Sequence, residues 1–218
     1  MNSIEKLKET NSLSDLAILL GYQPKSVSFI LYKIPDADKY HTFKIPKNDG
    51  SEREINAPIP RLKELQSRLA DLLQRCLESV YGHKTYGRAL SHGFRKNHSI
   101  ITNAKNHKNR RYVFNVDLKN FFPSINTESV ESIFHNIGYS KILSNLMAKL
   151  CTKDNELPQG APTSPYLSNI YFKSADELIS KYCLGRKIMY TRYADDLSFS
   201  GEFDENELLK VITDVVNS

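Results

Sequence analysis

Between Arg61 and Val80 apolar residues recur every three or four positions: Leu62, Leu65, Leu69, Leu72, Leu73, Cys76, Leu77 and Val80. That period paints one face of an α-helix, and it predicts the clearest amphipathic helix in the chain. Upstream, "SDLAILLG" predicts a short helix capped by Ser14 and stopped at Gly21, and a second helical segment covers Lys25 to Tyr32. The period then shortens to two. In "HTFKIPKNDGSEREINAP" apolar and polar residues alternate around Asn48-Asp49-Gly50, which predicts a hairpin turning at Asp-Gly. "RYVFNVDL" predicts a buried strand. Helices follow at about Thr127 to Asn136 and Ser140 to Cys151, the first opened by a capping box from Thr127 to Val130, one residue short of ideal. After a break at "DNELPQGAPTSP" comes a helix over about Tyr166 to Tyr182, then "RKIMYTRYADDLSFSG" as two short strands meeting at Asp195-Asp196, then a last helix from near Asp204. The chain shows no internal repeat or low-complexity tract. This order predicts an α+β fold with an antiparallel sheet backed by helices.

Composition places the chain in the globular class. Its 218 residues are 40% hydrophobic and 25% charged, enough for one large core or two modest ones. Cys76, Cys151 and Cys183 are odd in number and lack paired spacing, which argues against a disulfide framework or a cysteine-ligated zinc and fits a reducing cytoplasm. No leader pattern and no run of eighteen apolar residues occurs, so the expectation is a soluble, unsecreted, cytoplasmic protein. The net charge of +5 is unevenly placed. From Ser79 to Val116 lie eight Lys or Arg (Lys84, Arg88, Arg95, Lys96, Lys105, Lys108, Arg110, Arg111) and no Asp or Glu, so this window carries +8 and the remainder 5 − 8 = −3. Interleaved Tyr86, Phe94, Tyr112, Phe114 and four histidines turn a merely solvated basic face into a candidate surface for phosphates and stacked bases.

The candidate chemistry sits in "RYADDLSF", residues 192 to 199, where Asp195 and Asp196 are adjacent. Asp is ordinary in turns. Here, however, apolar side chains flank both sides, and a partly buried pair of like charges is costly unless a cation offsets it. A third carboxylate, Asp117, ends the strand in "VFNVDLKNFFPSI" and can reach the hairpin from the edge of the same sheet. Three oxygen ligands, with phosphate oxygens completing the shell, suit two Mg²⁺ ions. Such a pair, about 3.5–4 Å apart, activates an attacking hydroxyl and stabilises a leaving pyrophosphate in an in-line displacement. The carboxylates alone do not distinguish a polymerase from a nuclease.

Three motifs in order carry a family resemblance: "DLKNFF" (Asp117 to Phe122), "LPQGAPTSP" (Leu157 to Pro165) and "YADD" (Tyr193 to Asp196). Over about residues 40 to 201 the chain resembles the reverse transcriptases of bacterial retroelements. The resemblance implies a right-hand polymerase: an N-terminal helical segment (1–38), fingers with a basic RNA-binding region (39–116) and a palm (117–218) whose antiparallel sheet is backed by helices. It implies that Asp117, Asp195 and Asp196 are catalytic and hold two Mg²⁺, and that Phe122 blocks a ribose 2′-hydroxyl and so selects deoxynucleoside triphosphates. Gln159 then contacts the incoming nucleotide near its sugar, in a loop whose Gly160 permits close backbone approach. The "IPKNDGSER" hairpin resembles the fingers strands, with Lys47 and Arg53 as the cations that neutralise the triphosphate.

Asn103, Ala104 and His107 fit an Asn-Ala-x-x-His element that marks retron reverse transcriptases. It falls inside the basic window, and the resemblance implies that Asn103 and His107, with Arg95, Lys96, Lys105, Arg110 and Arg111, hold a structured noncoding RNA. That RNA serves as template and primer, the product is single-stranded DNA joined to RNA (msDNA), and many such enzymes act in anti-phage defence with an effector protein. The family's palm continues into further strands, a Val-Thr-Gly element and a helical thumb, none of which appears before Ser218. The expectation is therefore fingers and palm with the thumb absent from this chain, and an exposed sheet edge where strands are missing. Two further readings stand beside it: an intron-encoded or non-retron defence reverse transcriptase, and a noncatalytic RNA- or DNA-binding scaffold that restrains an effector.

Overall fold

The computed structural model describes residues 10–47, 50–81 and 89–217, with the side chains of 76–81 left aside. The predicted Asn48-Asp49 turn and the Lys84, Tyr86 and Arg88 part of the basic window lie outside the described residues. In chain order the elements are α1 (Leu13–Leu19), α2 (Pro24–Tyr32), a 3₁₀ turn (Asp36–Asp38), β1 (Tyr40–Pro46), β2 (Glu52–Pro58), α3 (Pro60–Tyr81) and α4 (Ile100–Lys105). There follow β3 (Val113–Asp117), α5 (Phe121–Ser124), α6 (Thr127–Ile137), α7 (Lys141–Cys151), α8 (Ser164–Tyr171), α9 (Lys173–Gly185), β4 (Met189–Tyr193), β5 (Asp196–Ser200) and α10 (Glu205–Val216). The fold is α+β with two small antiparallel sheets. No helix among the described residues is long and apolar enough to cross a membrane.

The chain divides into two compact units, each assembled from separate stretches of sequence. The first unit comprises the described residues of Met1–Val80 and Phe122–Leu167. Its β1–β2 hairpin runs in register from Tyr40 opposite Pro58 to Pro46 opposite Glu52. The α3 stripe is buried as its period predicts, through Leu62, Leu65, Leu69 and Leu73, each contributing about 1.5–3 kcal/mol. Gln66 interrupts that stripe, fully buried, and its amide donates to the Tyr40 hydroxyl at 2.9 Å and the Leu150 carbonyl at 2.7 Å. It thereby ties α3 to β1 and α7. Helices α6 and α7 pack as a helical hairpin, with Val130, Phe134, Leu143 and Met147 in its core.

The second unit comprises the described residues of Tyr81–Phe121 and Ser168–Ser218. Its three-stranded antiparallel sheet has the order β3-β5-β4. One face, carrying Tyr190, Arg192, Leu197 and Phe199, is buried, with Tyr190 and Phe199 stacked at 5.0 Å. Helix α9 packs on β4, and α10 packs on α9.

Four local expectations change. The α1 cap is Ser12 rather than Ser14, because Asp15 stands at the third helical position and closes a reciprocal capping box with Ser12. Helix α6 is likewise capped one residue early, by Asn126, whose Oδ1 accepts from the Ser129 amide at 2.8 Å. The helix expected over Tyr166 to Tyr182 is two helices divided at Phe172, whose ring is held edge-on against Phe121 at 5.5 Å. Finally, β3 pairs on one side only and alternates exposed and half-buried residues, so the strand expected to be buried is an edge strand.

Candidate active site

The carboxylates meet through strand register. Asp117 ends β3 directly opposite Asp196, the first residue of β5, and Asp196 also faces Tyr193 at the end of β4. Residues opposed in register project from the same face, so Asp117 and Asp196 stand side by side. Between β4 and β5 lies a two-residue turn, Ala194-Asp195, with Ala194 at φ 56°. A Cβ in this left-handed region costs on the order of 1–2 kcal/mol. The Leu118 amide donates to the Asp195 carbonyl at 3.1 Å, clipping the turn to the end of β3.

Electrostatics fit a cation here. The Asp196 carboxyl is raised above its ordinary pKa, first by partial burial and then by the charges of Asp195 and Asp117. Three anionic oxygen donors that repel one another match the ligand chemistry of a hard divalent ion. Asp117 and Asp196 share a register row and Asp195 lies in the adjoining turn; among the described residues no group of three or more His, Cys, Asp or Glu side chains is placed to hold a metal ion.

What holds the strained turn is a segment whose function the sequence did not announce. Residues 90–92 lie beside β4: the His92 amide donates to the Arg192 carbonyl and the Arg192 amide to the Leu90 carbonyl, both at 2.8 Å. Gly93 then passes so close to the turn that a Cβ there would sit 2.5 Å from the Ala194 nitrogen. Asn169 fixes this segment, donating to the Gly93 carbonyl at 2.8 Å and accepting from the Ser91 hydroxyl at 2.9 Å. From the other face, fully buried Arg192 makes a two-pronged pair with fully buried Asp176 (Nε to Oδ1 2.9 Å, Nη2 to Oδ2 2.7 Å). Its Nη1 donates to the Ala194 carbonyl at 2.7 Å, and the Tyr190 hydroxyl donates to Asp176 at 2.6 Å. The turn therefore hangs on a buried ion pair, which is costly to break. A signal existed: Arg192 occupies an inward position of β4 two residues after Tyr190, and Asp176 sits three residues before Ile179 on the apolar stripe of α9.

The other predicted site residues separate by unit. In the first, Lys47 and Arg53 are exposed on the β1–β2 hairpin, and Phe122 is half-buried. The Gln159 carbonyl accepts from the Asn56 amide at 2.7 Å, joining the "LPQGAP" loop to β2. Gly160, at φ 116°, does allow a close backbone approach, but to β2: a Cβ would lie 3.0 Å from Ile55 and 3.1 Å from the Asn56 carbonyl. In the second unit Lys96, Lys105, Arg110 and Arg111 are exposed, while Arg95 is half-buried and donates to the Ser91 carbonyl at 3.1 Å. Asn103 and His107 are different. They belong to α4 and the turn that follows it, in a helix capped by Ser99 and Thr102, and their side chains are buried beneath the basic surface. The apolar-polar period missed this helix because only one turn of it carries the inward residues.

The family model for "Reverse transcriptase (RNA-dependent DNA polymerase)" matches residues 45–218. The chain is similar to the Retron Ec86 reverse transcriptase of Escherichia coli, 33% identical over 193 residues that make up 88% of this chain and 58% of that protein. It is also similar to the Retron Mx162 reverse transcriptase of Myxococcus xanthus (34% identical, 89% of this chain, 42% of that protein). A third relative is the Retron Ec83 reverse transcriptase of Escherichia coli (34% identical, 78% of this chain, 55% of that protein). The chain spans about half the length of these relatives. Three motifs in family order, two of them supplying carboxylates paired in register, and a family match over most of its length establish that the chain belongs to the reverse transcriptase (RNA-dependent DNA polymerase) family.

Proposed function

We propose that this chain is the fingers and palm portion of a retron-type reverse transcriptase, an RNA-directed DNA polymerase that copies a structured noncoding RNA into RNA-linked single-stranded DNA. The observation that carries the reading is the register of Asp117 against Asp196, with Asp195 in the adjoining turn. Asp117, Asp195 and Asp196 would hold two Mg²⁺ ions, which when bound lower the barrier to nucleotidyl transfer by neutralising charge on the reacting oxygens. The chain's own residues bind and orient. Lys47 and Arg53 neutralise the triphosphate, Gln159 meets the sugar edge of the nucleotide, and the Phe122 ring excludes a 2′-hydroxyl. The exposed cations Lys96, Lys105, Lys108, Arg110 and Arg111 take RNA phosphates. A setting in phage defence with an effector protein is what the family resemblance implies for such an enzyme.

The test is primer extension on an RNA template with Mg²⁺ and deoxynucleotides, comparing the wild-type chain with the Asp195→Asn/Asp196→Asn double variant. Incorporation is expected from the first alone, with RNA binding nearly equal in both. Equal incorporation by the double variant would refute the assignment.

A further inference from the structure

Row by row, the carboxylate face of the second unit's sheet is polar well beyond its acids. Behind the row formed by Tyr193, Asp196 and Asp117 comes Thr191, Ser198 and Asn115, and behind that Met189, Ser200 and Val113. Thr191, Ser198 and Ser200 are all buried. Buried hydroxyls need partners, and an unmet one costs about 1–3 kcal/mol. The Asn-Ala-x-x-His element supplies them. His107 Nδ1 lies 2.7 Å from the Ser200 hydroxyl and its Nε2 2.7 Å from the Thr191 hydroxyl, so one imidazole bridges β5 and β4. Asn103 Nδ2 donates to the Ser198 hydroxyl at 3.4 Å.

These contacts stand two to four residues from Asp196 along the same strands, roughly 7–13 Å at about 3.3 Å per residue. On the same segment, α4 and the turn after it, Lys105 and Lys108 are exposed. An imidazole bonded at both nitrogens is locked in orientation, and it locks the hydroxyls and their strands in turn. Groups that fix the strands carrying a metal's ligands influence how well those ligands are placed.

We infer that Asn103 and His107 are positioning residues rather than RNA-contacting ones: they brace β4 and β5 behind the carboxylate row and so set its affinity for divalent cations. This rests on the reading of Asp117, Asp195 and Asp196 as the metal centre. An RNA reader at these positions would need side chains available to the nucleic acid, and both are turned inward, 7% and 8% exposed.

The experiment uses the full chain and three variants, His107→Leu, His107→Gln and Thr191→Val/Ser200→Ala, all checked for folding by thermal melting. Leu keeps the volume and loses both hydrogen bonds; Gln keeps a donor and an acceptor at similar spacing. Mn²⁺ affinity is read by electron paramagnetic resonance, and affinity for a synthetic RNA hairpin by filter binding. His107→Leu and the double hydroxyl variant are expected to bind Mn²⁺ about tenfold more weakly. His107→Gln should recover most of that loss, and RNA affinity should change by less than about twofold throughout. Unchanged Mn²⁺ affinity in the folded variants, or a loss of RNA affinity with Mn²⁺ binding intact, would overturn the inference. If His107→Leu does not fold, the hydroxyl variant alone decides. Asp195→Asn/Asp196→Asn is the separate control: if it binds Mn²⁺ as the wild type does, the metal-centre reading itself fails and the brace falls with it.

Discussion

Gly93→Ala adds one methyl group and no charge, yet the structure predicts that it disables the carboxylate hairpin. The new Cβ would stand 2.5 Å from the Ala194 nitrogen and 3.3 Å from both the Ala194 Cα and the Tyr193 carbonyl carbon. Ordinary contact begins at 3.4 Å, so the backbone must part by about 0.9 Å. Neither side yields easily. Gly93 is held by Asn169 and by the pairing of residues 90–92 with Arg192. Ala194 is held by the Arg192 guanidinium and already sits at positive φ. Overpacking of this size costs about 1–3 kcal/mol, and a displacement near 1 Å between reacting groups costs on the order of 10²-fold in rate. Single-nucleotide incorporation should therefore fall about a hundredfold, with a melting temperature lower by several degrees. Gly185→Ala is the matched control, because a Cβ there meets nothing within 4 Å. Full activity and an unchanged melting temperature for Gly93→Ala would refute the claim that this contact sets the turn.

Three other outcomes follow from particular contacts. Replacing Arg192 by Met should cost about 3–5 kcal/mol in denaturant unfolding by leaving Asp176 a buried unpaired charge, and a cost under 1 kcal/mol would deny that pair its role. His92, whose Nδ1 meets the Thr102 hydroxyl, has its pKa pushed down to about 4, chiefly by burial and then by neighbouring His98. Folding thus excludes its proton: the stability it contributes is full above pH 6.5 and is lost as pH falls from there toward 4, at up to about 1.4 kcal/mol per unit. His92→Gln should flatten stability against pH across that window, and an imidazole signal titrating near 6.5 would contradict the assignment. Removing Lys105, Arg110 and Arg111 together should lower the salt dependence of RNA binding by about three phosphate contacts, whereas an unchanged slope would move the RNA surface elsewhere.

Much of this was legible in the sequence because the deciding interactions are local or periodic. The α3 stripe, the β1–β2 hairpin, the Asp204 cap of α10 and the strands flanking Asp195-Asp196 follow from propensity and alternation. The α1 cap moves by two residues because a reciprocal partner decides, Asp15 for Ser12, and the α6 cap moves by one because the Asn126 side chain takes the Ser129 amide. Long-range contacts were beyond reach. That β3 is an edge strand, that Phe172 breaks a helix against Phe121, and that Gly93 lies on Ala194 are set by residues tens or a hundred positions away. The Asn-Ala-x-x-His element shows the same division: its place inside the basic window was read from the sequence, whereas the inward turn of Asn103 and His107 toward Ser198, Ser200 and Thr191 required the fold.

The most direct test of the account is to isolate the protein from cells carrying its own locus and resolve the bound nucleic acid on a denaturing gel before and after RNase and DNase. The account predicts single-stranded DNA that stays joined to RNA and disappears with Asp195→Asn/Asp196→Asn. RNA alone in both samples would contradict it and identify a chain that binds but does not copy.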